Sequence, residues 1–310
     1  MPDVLAETNR QVKNFREGKQ LCLKSRWSNV NRMLLGGFYF GQTYLIAGAS
    51  GHGKSYFVNI LLRDFTNIRL NGSFPKKIRI LHFGFEMAAS AEVLRRVSGM
   101  TQKTYSDLLS INNPLSDDDY TLVFNKLVGL KEEPLYFVET PCSRFEMYHK
   151  IAEFKREFPN DELVVSVDHM LLVNAEKGED EIQAIAEISK LFIQIRKEFK
   201  TLNLLVGQLN DKIEDQRRRD PNAGALHYPT KTDIHGSKQA YQAADVVMVL
   251  HRPELLNLDY YGKHKFPTKD LVALHTLKNR NGDSGMTRLK QNLSRGTIEE
   301  WVDNVNYSQD

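Results

Sequence analysis

The chain has only two cysteines in 310 residues, Cys22 and Cys142, far apart and without CxxC spacing. Neither a disulfide framework nor a zinc site follows, and both read as reduced packing residues. No apolar run approaches the roughly 20 residues that cross a bilayer, and the opening "MPDVLAETNRQVKNF" lacks the hydrophobic core of a signal peptide. The expectation is a cytoplasmic protein without membrane contact. An excess of one charge is missing too: 42 Lys and Arg against 39 Asp and Glu leave a formal net charge of +3. Any nucleic-acid affinity must then come from local patches. There is no repeat of solenoid period and no low-complexity tract. The length allows one large α/β domain or two small ones.

What is present starts with "IAGASGHGKS", in which Gly48 and Gly53-Lys54-Ser55 stand at phosphate-loop spacing. A triphosphate is held by backbone N–H groups at a helix N-terminus, and glycines permit the required dihedrals and close approach. Lys54 then reaches the β- and γ-phosphates, and the Ser55 hydroxyl sits on Mg²⁺. Gly48, Ser50, Gly51, Gly53 and Tyr56 complete the nucleotide-contacting set, with Tyr56 to Phe65 continuing as a helix. ATP or GTP binding follows. His52, inside the loop, has no role in this reading.

Downstream, strands and helices alternate. "KIRILHFGF", "PLYFVET", "ELVVSVDHMLLV", "NLLVGQL", "DVVMVLHR" and "LVALHTLKNR" read as strands, most of them apolar throughout rather than alternating. The segment from Ser116, capped with Asp119, is expected to be helical up to Gly129; a second helix opens on a Ser143/Glu146 capping box, and a long one covers "DEIQAIAEISKLFIQIRKEF". "MTRLKQNL" and "TIEEWV" form a terminal hairpin. This pattern predicts an α/β fold with a mostly parallel, twisted sheet covered on both faces. Residues 3 to 17 read as a short helix with a thin apolar side, Val4, Leu5, Val12 and Phe15, either a frayed arm or, in an assembly, one that packs on a neighbouring subunit. Residues 210 to 240, containing Arg217, Arg218, Arg219, Lys231 and Lys238, read as a long irregular loop, a length that usually signals function.

Ligands bind beyond the carboxyl ends of parallel strands. Glu86, Asp168, Gln208, and Lys278 with Arg280 terminate four of the strands. Nucleotide hydrolysis needs a carboxylate for the metal, one near the attacking water, and a group that senses the γ-phosphate. Asp168, Glu86 and Gln208 fit those roles in that order. Lys278 and Arg280, two residues apart on a strand, point to one side.

In this order the motifs resemble the motor domain of DnaB-type replicative helicases, within the RecA-like class. "WSNVNRMLLGGFYFGQTYLIAGASGHGKSYF" looks like the family's entry segment and Walker A loop, "HFGFEMAASAEVLRRV" its second-strand motif, and "VVSVDHMLLV" its Walker B strand. "VGQLND", "TDIHGSKQAYQAADVVMVLHRPE" and "LKNRNGDSG" are similar to its glutamine strand, its DNA loop and its finger segment, so the likeness runs from about residue 25 to 303. The resemblance implies a RecA-like ATPase core from residue 25 to 310 after an arm, 1 to 24. It implies ATP and Mg²⁺ as cofactors, catalysis by Glu86 with Gln208, and Lys278 and Arg280 acting on the next subunit's ATP. Such a finger implies a homo-oligomer, hexameric in the family, around single-stranded DNA, with hydrolysis coupled to unwinding. Primase and a helicase loader are the further partners it names.

The DNA contacts implied are His235, Gly236 and Lys238, with Arg217 beside them. His235 stands where the family has an arginine and Gly236 where it has an acid, so Lys238 supplies the positive charge; Asp211 and His169 also depart from the pattern. About 25 residues precede the motor, where cellular relatives carry a collar domain. A minimal, phage-type helicase working in the host cytoplasm and a chain with another role both fit. Two other functions stay open: a recombinase ATPase that coats single strands, and a non-motor replication adaptor that keeps the nucleotide fold.

Overall fold

β1, Thr43–Gly48, is buried at every position, which explains why its apolar residues do not alternate with polar ones. It lies inside a sheet with β2 (Ile78–Gly84), β3 (Leu135–Val138), β4 (Glu162–Asp168), β5 (Leu202–Gln208), β6 (Val246–His251), β7 (Leu271–Asn279), β8 (Gly285–Asn292) and β9 (Thr297–Glu300). This computed structural model describes residues 2–302, with the side chains of Pro2, Asp3, Glu7, Ser237 and Lys238 outside the description. Among the described residues the strand order is β9-β8-β7-β6-β1-β5-β4-β2-β3. From β3 across to β6 every neighbouring pair is parallel. At β7 the direction reverses, and β7, β8 and β9 continue as antiparallel pairs. The expected sheet and terminal hairpin are both present.

Successive side chains of each strand point to opposite faces. On one face Ile46, Val164 and Val206 pack with Phe57 and Leu61 of α2, Lys54–Phe65. On the other, Leu45, Val165 and Val167 meet Met147 and Ile151 of α5 (Arg144–Glu157) and Ile188 and Phe192 of α6 (Glu181–Phe199). The helices α3 (Ala89–Thr101) and α4 (Asp117–Leu130), with a short one at Tyr105–Leu109 between them, connect β2 to β3. The Ser143/Glu146 capping box is closed in both directions, and Ser116 accepts from the Asp119 amide. α4 runs one residue past the expected stop at Gly129, to Leu130.

α1, Pro2–Arg16, is the expected N-terminal helix. Val4, Leu5, Val12 and Phe15 are each more than half exposed, at 62, 64, 61 and 54%. α4 likewise buries no residue fully and leaves Tyr120 and Phe124 exposed.

The segment 210–240 departs from the expected irregular loop. It is folded into 3-10 turns at Asp211–Glu214, Gln216–Arg218, Gly224–His227 and Lys231–Asp233, then into α7, Ser237–Ala243. The physical reason is Asp233, which is 1% exposed, pairs with Arg218 at 3.0 Å and accepts the Thr230 amide at 2.7 Å in a capping box. One of the three arginines of this segment is therefore spent on folding it.

Packing of the body begins at Cys22 and Leu23, both buried. Trp27 stacks on Phe57 with centroids 4.5 Å apart and donates its indole N–H to the Ile298 carbonyl at 3.0 Å. Trp27→Ala should destabilise the fold by about 3–5 kcal/mol, with a smaller loss for Trp27→Phe, which keeps the stack. Urea unfolding measures both, and equal losses would show that the ring stack contributes little.

Candidate nucleotide site

β1 ends at Gly48, beside Gln208 of β5 and Leu250 of β6. A Cβ at Gly48 would lie 3.0 Å from the Leu250 carbonyl oxygen and 3.1 Å from Lys54 Cγ, so the strand leaves no space there. The chain turns through Gly51 and Gly53 at φ +74° and +89°, a region that disfavours side chains. Lys54 folds back over this turn, and its Nζ donates to the Ala49 carbonyl at 2.9 Å. Burial lowers its pKa, while Asp168 and Glu86 oppose the shift.

The Asp168 carboxylate, beside the Ser55 hydroxyl that favours its charged form, is 4% exposed and has its Oδ1 unpartnered. Burial raises the Asp168 pKa. Asp168 pairs across the sheet with Gly84, and its carbonyl accepts the Phe85 amide at 2.9 Å. That bond leads the chain directly to Glu86, which is exposed. Lys54, Ser55, Glu86 and Asp168 thus meet at one edge of the sheet, with Gln208 on the neighbouring strand. Ser50 is exposed at the turn, and Tyr56 lies in α2 with the Arg95 guanidinium 4.8 Å above its ring.

Sequence reasoning left His52 unassigned. It is 2% exposed, accepts the Arg252 amide at Nδ1 (3.1 Å) and bonds the Leu250 backbone. Arg252 also donates to the Gly51 carbonyl at 3.0 Å. The end of β6 therefore clamps the turn of the phosphate loop. Burial first, then Lys54 and Arg252, lowers the His52 pKa to about 4, so the ring is neutral near pH 7. Its face stacks on His251, which bonds Tyr261, and Tyr261 bonds His275, continuing a buried uncharged cluster behind the loop. The sequence signals were a polar residue at the loop's variable position and "LHRPE" after an apolar strand.

Lys278 and Arg280 do not join this edge. Because β7 is antiparallel to β6, Lys278 pairs with Val247 and the Arg280 amide binds the Asp245 carbonyl, at the start of β6. Roughly 16 Å of extended strand separates Asp245 from Leu250, the neighbour of Gly48. Reading all the strand ends as one set fails for this strand, whose direction reverses. Lys278 Nζ donates to the carbonyls of Tyr241, Gln242 and Ala244, and Arg280 Nη2 donates to Gln242 at 3.2 Å, so both side chains reach the same side. Arg196 pairs with Asp245 beside them.

Of the residues expected at DNA, His235 pairs with Glu181 and gives its amide to the Gln208 carbonyl at 2.8 Å. Gly236 has φ +62°, and a Cβ there would come within 2.6 Å of Ile185, so this position needs glycine. Arg217 is 87% exposed and pairs with Asp215 at 3.3 Å. The Lys238 side chain lies outside the described residues.

A phosphate loop between a parallel strand and a helix, with carboxylates from neighbouring strands, defines a nucleotide-using domain of the RecA-like class. The chain belongs to the family described as DnaB-like helicase C terminal domain, whose model matches residues 22–299. It is 27% identical over 216 residues to the replicative DNA helicase DnaB of Mycobacterium leprae (strain TN), covering 66% of this chain and 34% of that protein. It is 30% identical over 260 residues to a probable plasmid replicative DNA helicase of Chlamydia psittaci, covering 83% and 51%. The chain thus spans about a third to a half of the curated relatives it matches. Among solved structures, one described as an ATPase domain shares the fold with a TM-score of 0.82 at 17% identity, covering 97% of this chain and 98% of that one. A DnaB-like replicative helicase studied with primase gives 0.79 at 17% identity, covering 97% and 67%. No described helix is long and apolar enough to cross a membrane.

His52→Ala removes a partner from the buried Arg252 amide and should weaken nucleotide affinity about tenfold, or about 1.4 kcal/mol. Titration with a fluorescent nucleotide measures this, and unchanged affinity would remove His52 from the support of the loop.

Proposed function

We propose that the chain is the motor of an ATP-driven replicative helicase that translocates on single-stranded DNA as a closed homo-oligomeric ring, six-membered as in the family. The observation that carries this reading is the division of the site. Lys54, Ser55, Glu86 and Asp168 meet at one edge of the sheet, while Lys278 and Arg280 are held at the opposite edge. A pair so placed serves the nucleotide of an adjacent subunit, and a head-to-tail interface of this kind can close into a ring. The exposed apolar residues of α1 and α4 offer surface for such contacts.

ATP with Mg²⁺ is the proposed ligand. Ser55 and the unpartnered Oδ1 of Asp168 would hold a magnesium ion brought with the nucleotide; no cluster of three or more His, Cys, Asp or Glu able to hold a metal by itself occurs among the described residues. The bound ion supplies neutralisation of phosphate charge. Lys54 leaves the Ala49 carbonyl to hold the β- and γ-phosphates, Glu86 orients the attacking water and accepts its proton, and Gln208 senses the γ-phosphate. The bond from His235 to the Gln208 carbonyl ties that sensor to the segment proposed to follow DNA. Gly236 and Lys238 belong to that segment, with Arg217 at its exposed flank. The structural neighbour studied with primase makes primase a candidate partner.

Lys54→Ala should abolish ATP turnover. Arg280→Ala should lower it by about a thousandfold while leaving nucleotide binding intact, as for a finger supplied in trans. Mixing Arg280→Ala with Glu86→Gln subunits should recover activity above the sum of the two, because each supplies what the other lacks. No recovery would count against the divided site. Electron microscopy and a forked-duplex assay separate rings that unwind from open filaments that exchange strands, and from an adaptor that does neither.

Burial, together with Arg280 and Arg196, pulls the Lys278 pKa down to about 8. Its ammonium is charged below that value and neutral above it. Turnover as kcat/KM should therefore fall as pH rises through about 8, and Lys278→Arg should flatten this limb because guanidinium does not titrate there. An alkaline limb unchanged in that variant assigns the titration to another group.

A further inference from the structure

The carbonyls that hold Lys278 and Arg280 belong to α7, and α7 is the segment that follows the loop tied to Gln208. Its last carbonyls have no partners within the helix and favour cations. Lys278 Nζ takes three of these oxygens, from Tyr241 at 2.8 Å, Gln242 at 3.0 Å and Ala244 at 2.6 Å. Such a cage accepts an ammonium over a range of positions. Tyr241 removes that freedom. Its hydroxyl donates to the Leu277 carbonyl at 3.0 Å, on the residue before Lys278, and its ring centroid lies 5.3 Å from the ammonium.

The surroundings of this contact are fixed. Asp245 accepts the Thr43 amide at 2.9 Å, pairs with Arg196 and lies 3.5 Å from Arg280 Nε, so its carboxylate is anchored to β1. The other end of α7 is anchored differently. Ile234 bridges to Leu209 and the His235 amide bonds the Gln208 carbonyl, immediately before the Gly236 turn. α7 itself is about 10 Å long. It packs on α6 and the sheet through Ala240, Tyr241 and its C-cap Ala244.

We propose that Tyr241 is a positioning residue for the Lys278–Arg280 pair, and that through it α7 passes the state of the 230–236 loop to the site completed on the next subunit. The inference rests on the divided site proposed above. A strand that displaces the loop moves α7, and the hydroxyl bond to Leu277 makes β7 follow, so the pair shifts with the helix. Without that bond α7 moves and the pair stays behind.

The test compares Tyr241→Phe, which keeps the ring and loses the hydroxyl, with Tyr241→Leu, which loses both. ATP turnover is measured with and without an oligo-dT strand, alongside nucleotide affinity and thermal unfolding. Tyr241→Phe should lose strand stimulation, and Tyr241→Leu should lower strand-stimulated kcat by about a hundredfold, the scale of a misplacement of about 1 Å. KM and nucleotide affinity should be unchanged in both, since the chain's own phosphate loop lies at the other edge. Adding Lys54→Ala subunits, whose Lys278 and Arg280 are intact, should restore turnover to Tyr241→Leu oligomers, which a merely structural role would not allow. Full stimulation in Tyr241→Phe, a loss in KM alone, or no restoration in the mixture would overturn the proposal. If Tyr241→Leu melts early, Tyr241→Phe decides. Absence of turnover in the unmodified protein would instead overturn the motor reading, and this inference with it.

Discussion

Backbone hydrogen bonding between β6 and β7 runs antiparallel, and strands cannot be turned over once the sheet has formed around them. The phosphate loop leaves the carboxyl end of one strand, while the end of β7 lies at the opposite edge. No side-chain rearrangement within one chain closes roughly 16 Å of extended strand. Lys54, Asp168 and Glu86 are therefore separated from Lys278 and Arg280 by the sheet itself. Everything proposed about assembly follows from this separation.

The same sheet anchors each half. On the loop side, β6 reaches over with Arg252 and Leu250 to hold His52, so the turn is clamped by a strand other than the one it extends. On the far side, Asp245 and the end of α7 hold the basic pair. Between them, the bond from His235 to Gln208 makes the loop before α7 part of the nucleotide edge. One short segment thus touches both halves of the proposed machine.

Much of this was legible in the sequence where the chemistry is local. A phosphate loop needs its glycines, lysine and hydroxyl within a few residues, and acids after apolar strands mark strand ends, so Lys54, Ser55, Asp168 and Glu86 could be found by inspection. The direction of β7 could not, because it depends on which strand it pairs with. His52 was opaque for the same reason: its partner Arg252 is 200 residues away. The segment 210–240 misled because Arg218 looks like surface charge until it meets the buried Asp233. The DNA-facing roles rest on resemblance, since Lys238 lies outside the described side chains.

α1 has a consequence of another kind. A fifteen-residue helix that leaves Val4, Leu5 and Val12 exposed meets its own body at Phe15, whose ring lies 6.2 Å from that of Tyr39, and helices of that length are marginal in water without further packing. If a second surface covers those side chains, as in the proposed assembly, coil-to-helix transition and association become a single equilibrium governed by mass action. Dilution would unwind it, and helicity that did not change with protein concentration would refute the linkage. In the proposed assembly the arm would in this sense be a gauge of how much of the protein is assembled.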